Sequence, residues 1–124
     1  MAYLLRLISS AFAAVSIGFG INAFYNPASA LSFFELDYPA TNSNRALVDA
    51  LLAVYGVRDI FMGIALWAAA YYGTRRTLGV ITMAQGAVAF ADGAVCKWIV
   101  GHGEWNHWGY APMGALVGLA LMVI

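Results

Sequence analysis

One stretch decides the fold: residues 46–72, ALVDALLAVYGVRDIFMGIALWAAAYY. It is apolar at nearly every position, and a helix needs about 20 such residues to cross the hydrocarbon core of a bilayer. Similar apolar stretches occupy residues 3–25, 77–100 and 107–124, and short segments with most of the charges separate them. The sequence therefore predicts an all-α fold, a four-helix transmembrane bundle that forms a single four-span membrane domain.

The composition excludes an ordinary soluble domain. Hydrophobic residues make up 63% of the chain and charged residues only 10%, whereas soluble domains have about a quarter charged residues. A small soluble protein has more surface than interior and must cover it with polar side chains. We therefore expect the lipid bilayer to be the surrounding solvent. The formal net charge of zero gives no reason to expect nucleic acid as a partner.

Arg6 and the apolar residues after it could also be read as a cleaved signal peptide. The apolar stretch is long for a signal, and its removal would leave a three-helix bundle. We therefore predict that it is a membrane span. The single cysteine, Cys96, lies in an apolar run and is predicted to be a small buried side chain.

The positions of the arginines predict the orientation. Arg6 and the Arg75–Arg76 pair fall on the same side of a four-span protein, and cytoplasmic segments are enriched in Lys and Arg. Both termini of this multi-pass protein are therefore predicted to be cytoplasmic, with the endoplasmic reticulum or a similar membrane as the location in a eukaryote. Four aromatic residues around the third connection fit the opposite membrane interface: Trp98, Trp105, Trp108 and Tyr110.

The first connection is the only long one. Asn26-Pro27 ends the first apolar stretch, because the residue before a proline disfavours helix. The apolar segment 31–34 that follows is predicted either to lie along the membrane surface or to fold back onto the bundle as a cap.

Small residues recur at helical spacing in all four apolar stretches. Helices in lipid need small residues where they approach one another closely. These residues predict the packing faces: Ser9, Ala13, Ser16 and Gly20; Gly56 and Gly63; Gly79, Gly86 and Gly93; Gly114 and Gly118.

Three ionisable residues lie deep within the apolar stretches. Arg58 is about 12 residues from the non-cytoplasmic end of the second stretch, or ~18 Å, and Asp92 is about 8 residues, or ~12 Å, from that end of the third. At these similar depths Arg58 can pair with Asp92 or with its neighbour Asp59. Ionisable groups inside a span usually face the bundle interior and mark a function.

Helical spacing extends this cluster into two polar faces. The faces are Asp49, Leu52, Tyr55, Asp59 and Met62, and Thr82, Gln85, Ala89, Asp92 and Cys96. They could enclose a small cavity, with His102 and His107 in or beside its roof. Arg58, Asp59, Asp92 and His107 are therefore the candidate catalytic residues.

Less specific interpretations remain open for these residues. A buried ion pair can simply fix the register of two helices, and the same groups could line a proton or ion path. His102, Glu104 and His107 are three potential zinc ligands, but their spacing matches no standard site, and we predict no metal and no cofactor. No GxSxG, HExxH or nucleotide-binding loop is present, so the usual chemistries of soluble enzymes are unsupported.

The chain resembles a known family at Gly56-Val57-Arg58-Asp59, at Asp92-Gly93 and at His107. These motifs are similar to those of small four-helix membrane proteins from fungi and bacteria that are described only as a domain of unknown function. More distantly, the layout is similar to DoxX-like four-span proteins. Fungal members of such families often lie in gene clusters for secondary metabolites. The resemblance thus implies a cyclase, isomerase or accessory role in natural-product biosynthesis, together with a partner biosynthetic enzyme.

These observations lead to one main hypothesis and two rivals. The main hypothesis is a membrane protein that binds a lipophilic small molecule and acts on it by acid–base isomerisation or cyclisation, or assists a partner enzyme. Arg58 would stabilise developing negative charge, Asp59 or Asp92 would transfer a proton, and His107 would be a second acid or base near the entrance. The rivals are a structural scaffold and a small transporter, which would need a homo-oligomer to form a path.

Overall fold

The computed structural model describes residues 1–124, and every regular element in it is helical. The helices are α1 (Ala2–Tyr25), α2 (Pro27–Ser32), α3 (Asn42–Tyr72), α4 (Arg75–Val95), α5 (Trp105–Trp108) and α6 (Ala111–Val123). A π-helical segment, Cys96–Val100, continues α4. The all-α prediction is confirmed, and α3 begins four residues before the predicted stretch.

Three helical segments are long and apolar enough to cross a bilayer: Ala2–Tyr25, Asn42–Tyr72 and Arg75–Val100. Their outer faces carry many exposed large hydrophobic side chains, which lipid would solvate. These features indicate an integral membrane protein.

The fourth apolar stretch is divided into two helices. The 13 residues of α6 reach only ~20 Å at 1.5 Å per residue, less than the ~30 Å of the hydrocarbon core. Pro112, in the first turn of α6, has no N–H and its ring would clash with the carbonyl of Trp108 in a continuous helix. The helix is therefore interrupted at Gly109 and Tyr110, and a fourth span stays a prediction.

Asparagine and threonine side chains begin two of the helices. The Asn26 side chain accepts a hydrogen bond from the Ser29 amide at 3.1 Å, which starts α2 directly after α1 ends. Thr74 Oγ1 accepts from the Thr77 amide at 3.1 Å and starts α4. The predicted stop at Asn26-Pro27 is confirmed.

Glycines set the contact between α1 and α3. A Cβ added to Gly20 would lie 2.5 Å from the Gly56 carbonyl oxygen, and one added to Gly63 would lie 2.6 Å from the Ala13 carbonyl oxygen. The two backbones therefore touch over a surface that a larger side chain would separate.

Glycines also allow the close contact of the second helix pair, α4 and α6. A Cβ on Gly79 would lie 2.7 Å from the Gly118 carbonyl oxygen, and one on Gly114 would lie 3.0 Å from the Gly86 Cα. Gly93, at the far end of α4, leaves room for the Trp108 ring. The predicted small-residue faces are thus confirmed as packing surfaces, and the bundle consists of two tightly packed helix pairs.

The first connection folds back onto the bundle. Ala30 and Leu31 of α2 are buried against Ala23 of α1 and Leu52 of α3. Of the two predicted arrangements for segment 31–34, the cap is therefore the correct one.

Side-chain hydrogen bonds hold the connections between the helices at both ends of the bundle. At one end, the Arg6 side chain donates hydrogen bonds to the carbonyl oxygens of Ala70 and Gly73, so Arg6 lies beside the connection that leads into Arg75 and Arg76 at the start of α4. At the other end, the residues that follow α2 contact the third connection, where Asn106 and His107 bind the Phe33 carbonyl oxygen. The arginines thus share one end of the bundle, while the side of the membrane on which they lie stays a prediction.

Candidate functional site

A bidentate ion pair joins the α1–α3 pair to the α4–α6 pair inside the bundle. The guanidinium of Arg58 on α3 donates to both carboxylate oxygens of Asp92 on α4, at 3.0 and 2.9 Å. Bidentate arginine–carboxylate pairs are among the strongest and most directional polar contacts in proteins. This contact therefore fixes the relative position of α3 and α4 at this level.

The same guanidinium binds a second carboxylate. Arg58 Nε donates to Asp59 Oδ1 at 3.1 Å, and one of its terminal nitrogens lies 3.0 Å from the same oxygen. The guanidinium also lies over the ring of Tyr55, 4.5 Å from its centroid. The two ion pairs that the sequence predicts as alternatives thus form at once, and one arginine serves two aspartates.

This cluster lines a cavity of about 130 Å³. Helices α1, α3, α4 and α6 form its walls. The roof is formed by four residues of the first and third connections: Phe33, Asn106, His107 and Tyr110. Its size is close to the ~150 Å³ of a cavity that can hold benzene. It can therefore receive a small apolar molecule or the reacting end of a longer one.

The cavity wall is apolar and aromatic apart from the ion-pair cluster and a few polar side chains. Phe12 and Phe19 of α1, Phe33 of the roof and Met62 of α3 all line it. An apolar cavity with a few convergent polar groups is the usual form of a small-molecule binding site.

Two further polar side chains lie about two helical turns along the bundle from the ion pair. Gln85 of α4 and Ser16 of α1 line the cavity and are hydrogen-bonded to each other through Gln85 Nε2 and the Ser16 hydroxyl. The Gln85 carbonyl oxygen is the one buried side-chain polar atom without a partner. From the sequence, Gln85 is predicted to lie on a polar face, whereas Ser16 is predicted only as a packing residue. The hydroxyl group of Ser16 within a membrane span was nevertheless a signal that it belongs to the site.

His107 closes the cavity from above. Its side chain is buried, at 3% exposure, and its Nε2 donates to the Phe33 carbonyl oxygen at 2.9 Å. Its Nδ1 lies 3.5 Å from the Tyr110 hydroxyl, and its ring packs on that of Phe34 at 4.7 Å. Nε2 is thus occupied by the roof, and Nδ1 is the nitrogen available for proton transfer.

Asn106 forms further hydrogen bonds between the two connections that make up the roof. Its side-chain amide donates to the Phe33 carbonyl oxygen at 3.2 Å and to Glu35 at 3.0 Å. Nothing in the sequence pattern pointed to Phe33 or Asn106 as site residues, because their positions depend on how two connections fold against each other.

The remaining predicted roof and face residues lie elsewhere. His102 is exposed, and Glu104 pairs with Lys97 at 3.3 Å. A hydrogen bond from the backbone and the Lys97 ammonium lower the pKa of Glu104. His102, Glu104 and His107 do not form a group that could hold a metal ion. Asp49 accepts a hydrogen bond from the Tyr38 hydroxyl at 2.7 Å, outside the cavity.

All four candidate catalytic residues line the same cavity: Arg58, Asp59, Asp92 and His107. Leu52 is part of the packed core, while Tyr55, Met62, Gln85 and Ala89 join the cavity wall. Cys96 is buried, as predicted.

Among the comparisons with known proteins, the one match is to a family. A family model described as "Domain of unknown function (DUF4267)" matches residues 13–121. No curated protein sequence and no solved structure matches the chain.

Proposed function

Because the chain belongs to the DUF4267 family, whose description names no activity, we propose its function from the site: the cavity binds a lipophilic small molecule. The observation that supports this most is an ion-pair cluster on the wall of an otherwise apolar, aromatic cavity. Charged groups are costly inside a membrane span and are usually kept for a function. A bilayer would also concentrate a lipophilic ligand around the bundle.

The chemistry that suits this cluster is acid–base isomerisation or cyclisation of the bound molecule. Asp92 has both carboxylate oxygens engaged by Arg58, whereas Asp59 meets Arg58 through Oδ1 alone. Asp59 is therefore the better candidate for transferring a proton, through Oδ2. Arg58 would stabilise developing negative charge in low dielectric, and His107 would be the second acid or base through Nδ1.

The setting of this activity is also a proposal. We propose four spans with both termini cytoplasmic, α5 and α6 together forming the last span. The resemblance to fungal and bacterial four-helix proteins, and more distantly to DoxX-like proteins, supports an enzyme or accessory role in natural-product biosynthesis, alongside a partner enzyme. In a eukaryote the membrane would be that of the endoplasmic reticulum.

A structural scaffold is the second candidate, and one contact favours it. The Arg58–Asp92 pair joins the two tightly packed helix pairs, and a buried ion pair can serve only to fix such a register. In that case filling the cavity would have no functional consequence.

Cavity filling separates the two candidates. Ala89 lines the cavity on α4, and Ala89→Phe would occupy it without removing any charged group. Ala87, two residues away, is exposed on the outer face, so Ala87→Phe is the matched control. Each protein would be purified from its native membranes and examined by native mass spectrometry.

We expect the wild-type protein and Ala87→Phe to carry a bound small molecule, and Ala89→Phe to have lost it. Retention of the same molecule by Ala89→Phe would show that it binds elsewhere on the protein. A wild-type protein that carries no molecule and binds none added from the membrane extract would favour the scaffold.

A further inference from the structure

The charges on the cavity wall do not balance. One cation, Arg58, faces two carboxylates, Asp59 and Asp92, whose side chains are only 6% and 15% exposed. No other charged side chain lines the cavity. With both carboxylates ionised, the wall carries one negative charge more than its single arginine neutralises, and such a charge is costly away from water.

The other cations of the chain are engaged outside the cavity. Lys97 pairs with Glu104, Arg45 donates to the Pro39 carbonyl oxygen, and Arg6 is bound at the opposite end of the bundle. Arg75 and Arg76 are exposed in the first turn of α4, at that same end. His107 also lines the cavity, but it forms an ion pair with neither Asp59 nor Asp92, and its Nε2 is bound to the Phe33 carbonyl oxygen.

Asp59 is the carboxylate with an oxygen that Arg58 does not contact. Both of its contacts with Arg58 use Oδ1, whereas Asp92 gives one oxygen to each terminal nitrogen of the guanidinium. Oδ2 is therefore the oxygen of this cluster that a hydrogen-bond donor in the cavity would contact.

Aromatic rings make up much of the wall of the same cavity. Phe12, Phe19, Phe33, Tyr55 and Tyr110 all line the wall. The faces of such rings attract organic cations, and Tyr55 already does so with the Arg58 guanidinium. A metal ion would need several oxygen ligands, and no three His, Cys, Asp or Glu side chains are grouped here. The wall suits an organic cation better than a metal ion.

We propose that the ligand is a lipophilic amine, bound as its ammonium ion with an N–H donated to Asp59 Oδ2 and its apolar body against the aromatic wall. This inference rests on the proposed function, since it names the ligand class of the same cavity. The ammonium supplies the missing positive charge, and its proton is the one that Asp59 would exchange.

A pair of probes of the same shape tests the inference: cyclohexylmethylamine and cyclohexylmethanol. At pH 7 the amine is a cation, since alkylamines have a pKa of about 10.4, and the alcohol is neutral. The protein would be held in phosphatidylcholine nanodiscs, and the Kd of each probe measured by calorimetry against empty nanodiscs. The variants are Asp59→Asn and, as the matched control, Asp49→Asn, which removes the same charge from α3 outside the cavity.

A charge-assisted hydrogen bond predicts at least about tenfold tighter binding of the amine than of the alcohol. We expect this preference in the wild-type protein and in Asp49→Asn, and a preference of less than about twofold in Asp59→Asn. Equal binding of both probes by the wild-type protein would overturn the inference, because a proton would then neutralise the cluster, while binding of the alcohol would keep the proposed function. Persistence of the preference in Asp59→Asn would also overturn it. Binding of neither probe would contradict both proposals.

Discussion

Removing the charges of the ion-pair cluster one at a time should give an order of stabilities that only this geometry produces. Arg58 contacts two carboxylates, so Arg58→Leu leaves two unpaired negative charges in low dielectric. Asp92→Leu leaves one guanidinium with one carboxylate, Asp59. The double variant, Arg58→Leu/Asp92→Leu, leaves Asp59 alone. The free energy of unfolding should therefore fall least in Asp92→Leu and most in Arg58→Leu.

The magnitudes follow from the number of unpaired carboxylates. Removing one partner of a buried pair costs about 3–5 kcal/mol. Neutralising an aspartate at pH 7 costs at most about 4 kcal/mol, from an ordinary pKa of about 3.9 and 1.36 kcal/mol per unit. We expect a loss of about 3–5 kcal/mol or more in Arg58→Leu, and of about 1 kcal/mol in Asp92→Leu. The double variant, with one carboxylate instead of two, should lie between them.

The measurement is unfolding in mild detergent, followed by tryptophan fluorescence as a denaturing detergent is added. An Arg58→Leu variant as stable as Asp92→Leu would refute the reasoning, because it would mean that Asp59 and Asp92 do not share the guanidinium. A double variant less stable than Arg58→Leu would refute it as well, since removing a carboxylate would then have increased the cost.

Two further predictions concern packing and topology. Gly86→Leu should lose about 1–3 kcal/mol of stability from overpacking between α4 and α6, whereas Gly18→Leu, where a side chain meets nothing within 4 Å, should unfold like the wild-type protein; equal behaviour of the two variants would contradict the packing at Gly86. Reporter fusions after Ile124 and within residues 42–44 should lie on opposite sides of the membrane, with the C-terminus cytoplasmic. Reporters on the same side would contradict four spans, and an external C-terminus would contradict the orientation.

The helices could be predicted from the sequence because a bilayer imposes a length. Long apolar segments with few charges have few alternatives to spanning helices, so α1, α3 and α4 follow from composition alone. The small-residue faces follow from the same environment, since close approach in lipid requires them. The division of the last stretch had a local signal in Pro112, which makes a continuous helix from residue 107 costly.

The candidate site was only partly predictable. The similar depths of Arg58 and Asp92 within their spans indicated that the two side chains could meet. Which carboxylate the guanidinium binds depends, however, on how α3 is rotated against α4. The structure shows that it binds both. The contact from His107 to the Phe33 carbonyl oxygen joins residues far apart in the chain, and no local pattern encodes it. Connections of this kind are fixed by tertiary packing and not by spacing in the sequence.

The π-helical segment illustrates the same limit. Gly101 donates its amide to the Cys96 carbonyl oxygen at 2.8 Å, five residues back, and its φ of 100° ends the helix in a conformation that favours glycine. Gly101 directly follows the third apolar stretch, residues 77–100, so the end of the helix agrees with the end of that stretch. The wider turn before it follows no pattern of apolar residues.

The central claim is that the charged cluster exists for a ligand and not for the fold. The most direct measurement compares folding and ligand content in the triple variant Arg58→Leu/Asp59→Leu/Asp92→Leu, which replaces the whole cluster by apolar side chains. Apolar replacement of a complete buried ion pair is often neutral for stability, so the variant should be expressed in the membrane and unfold much like the wild-type protein. By native mass spectrometry it should carry none of the small molecule that the wild-type protein binds. A well-folded triple variant that keeps the molecule would contradict the claim and leave Arg58, Asp59 and Asp92 as residues that fix helix register.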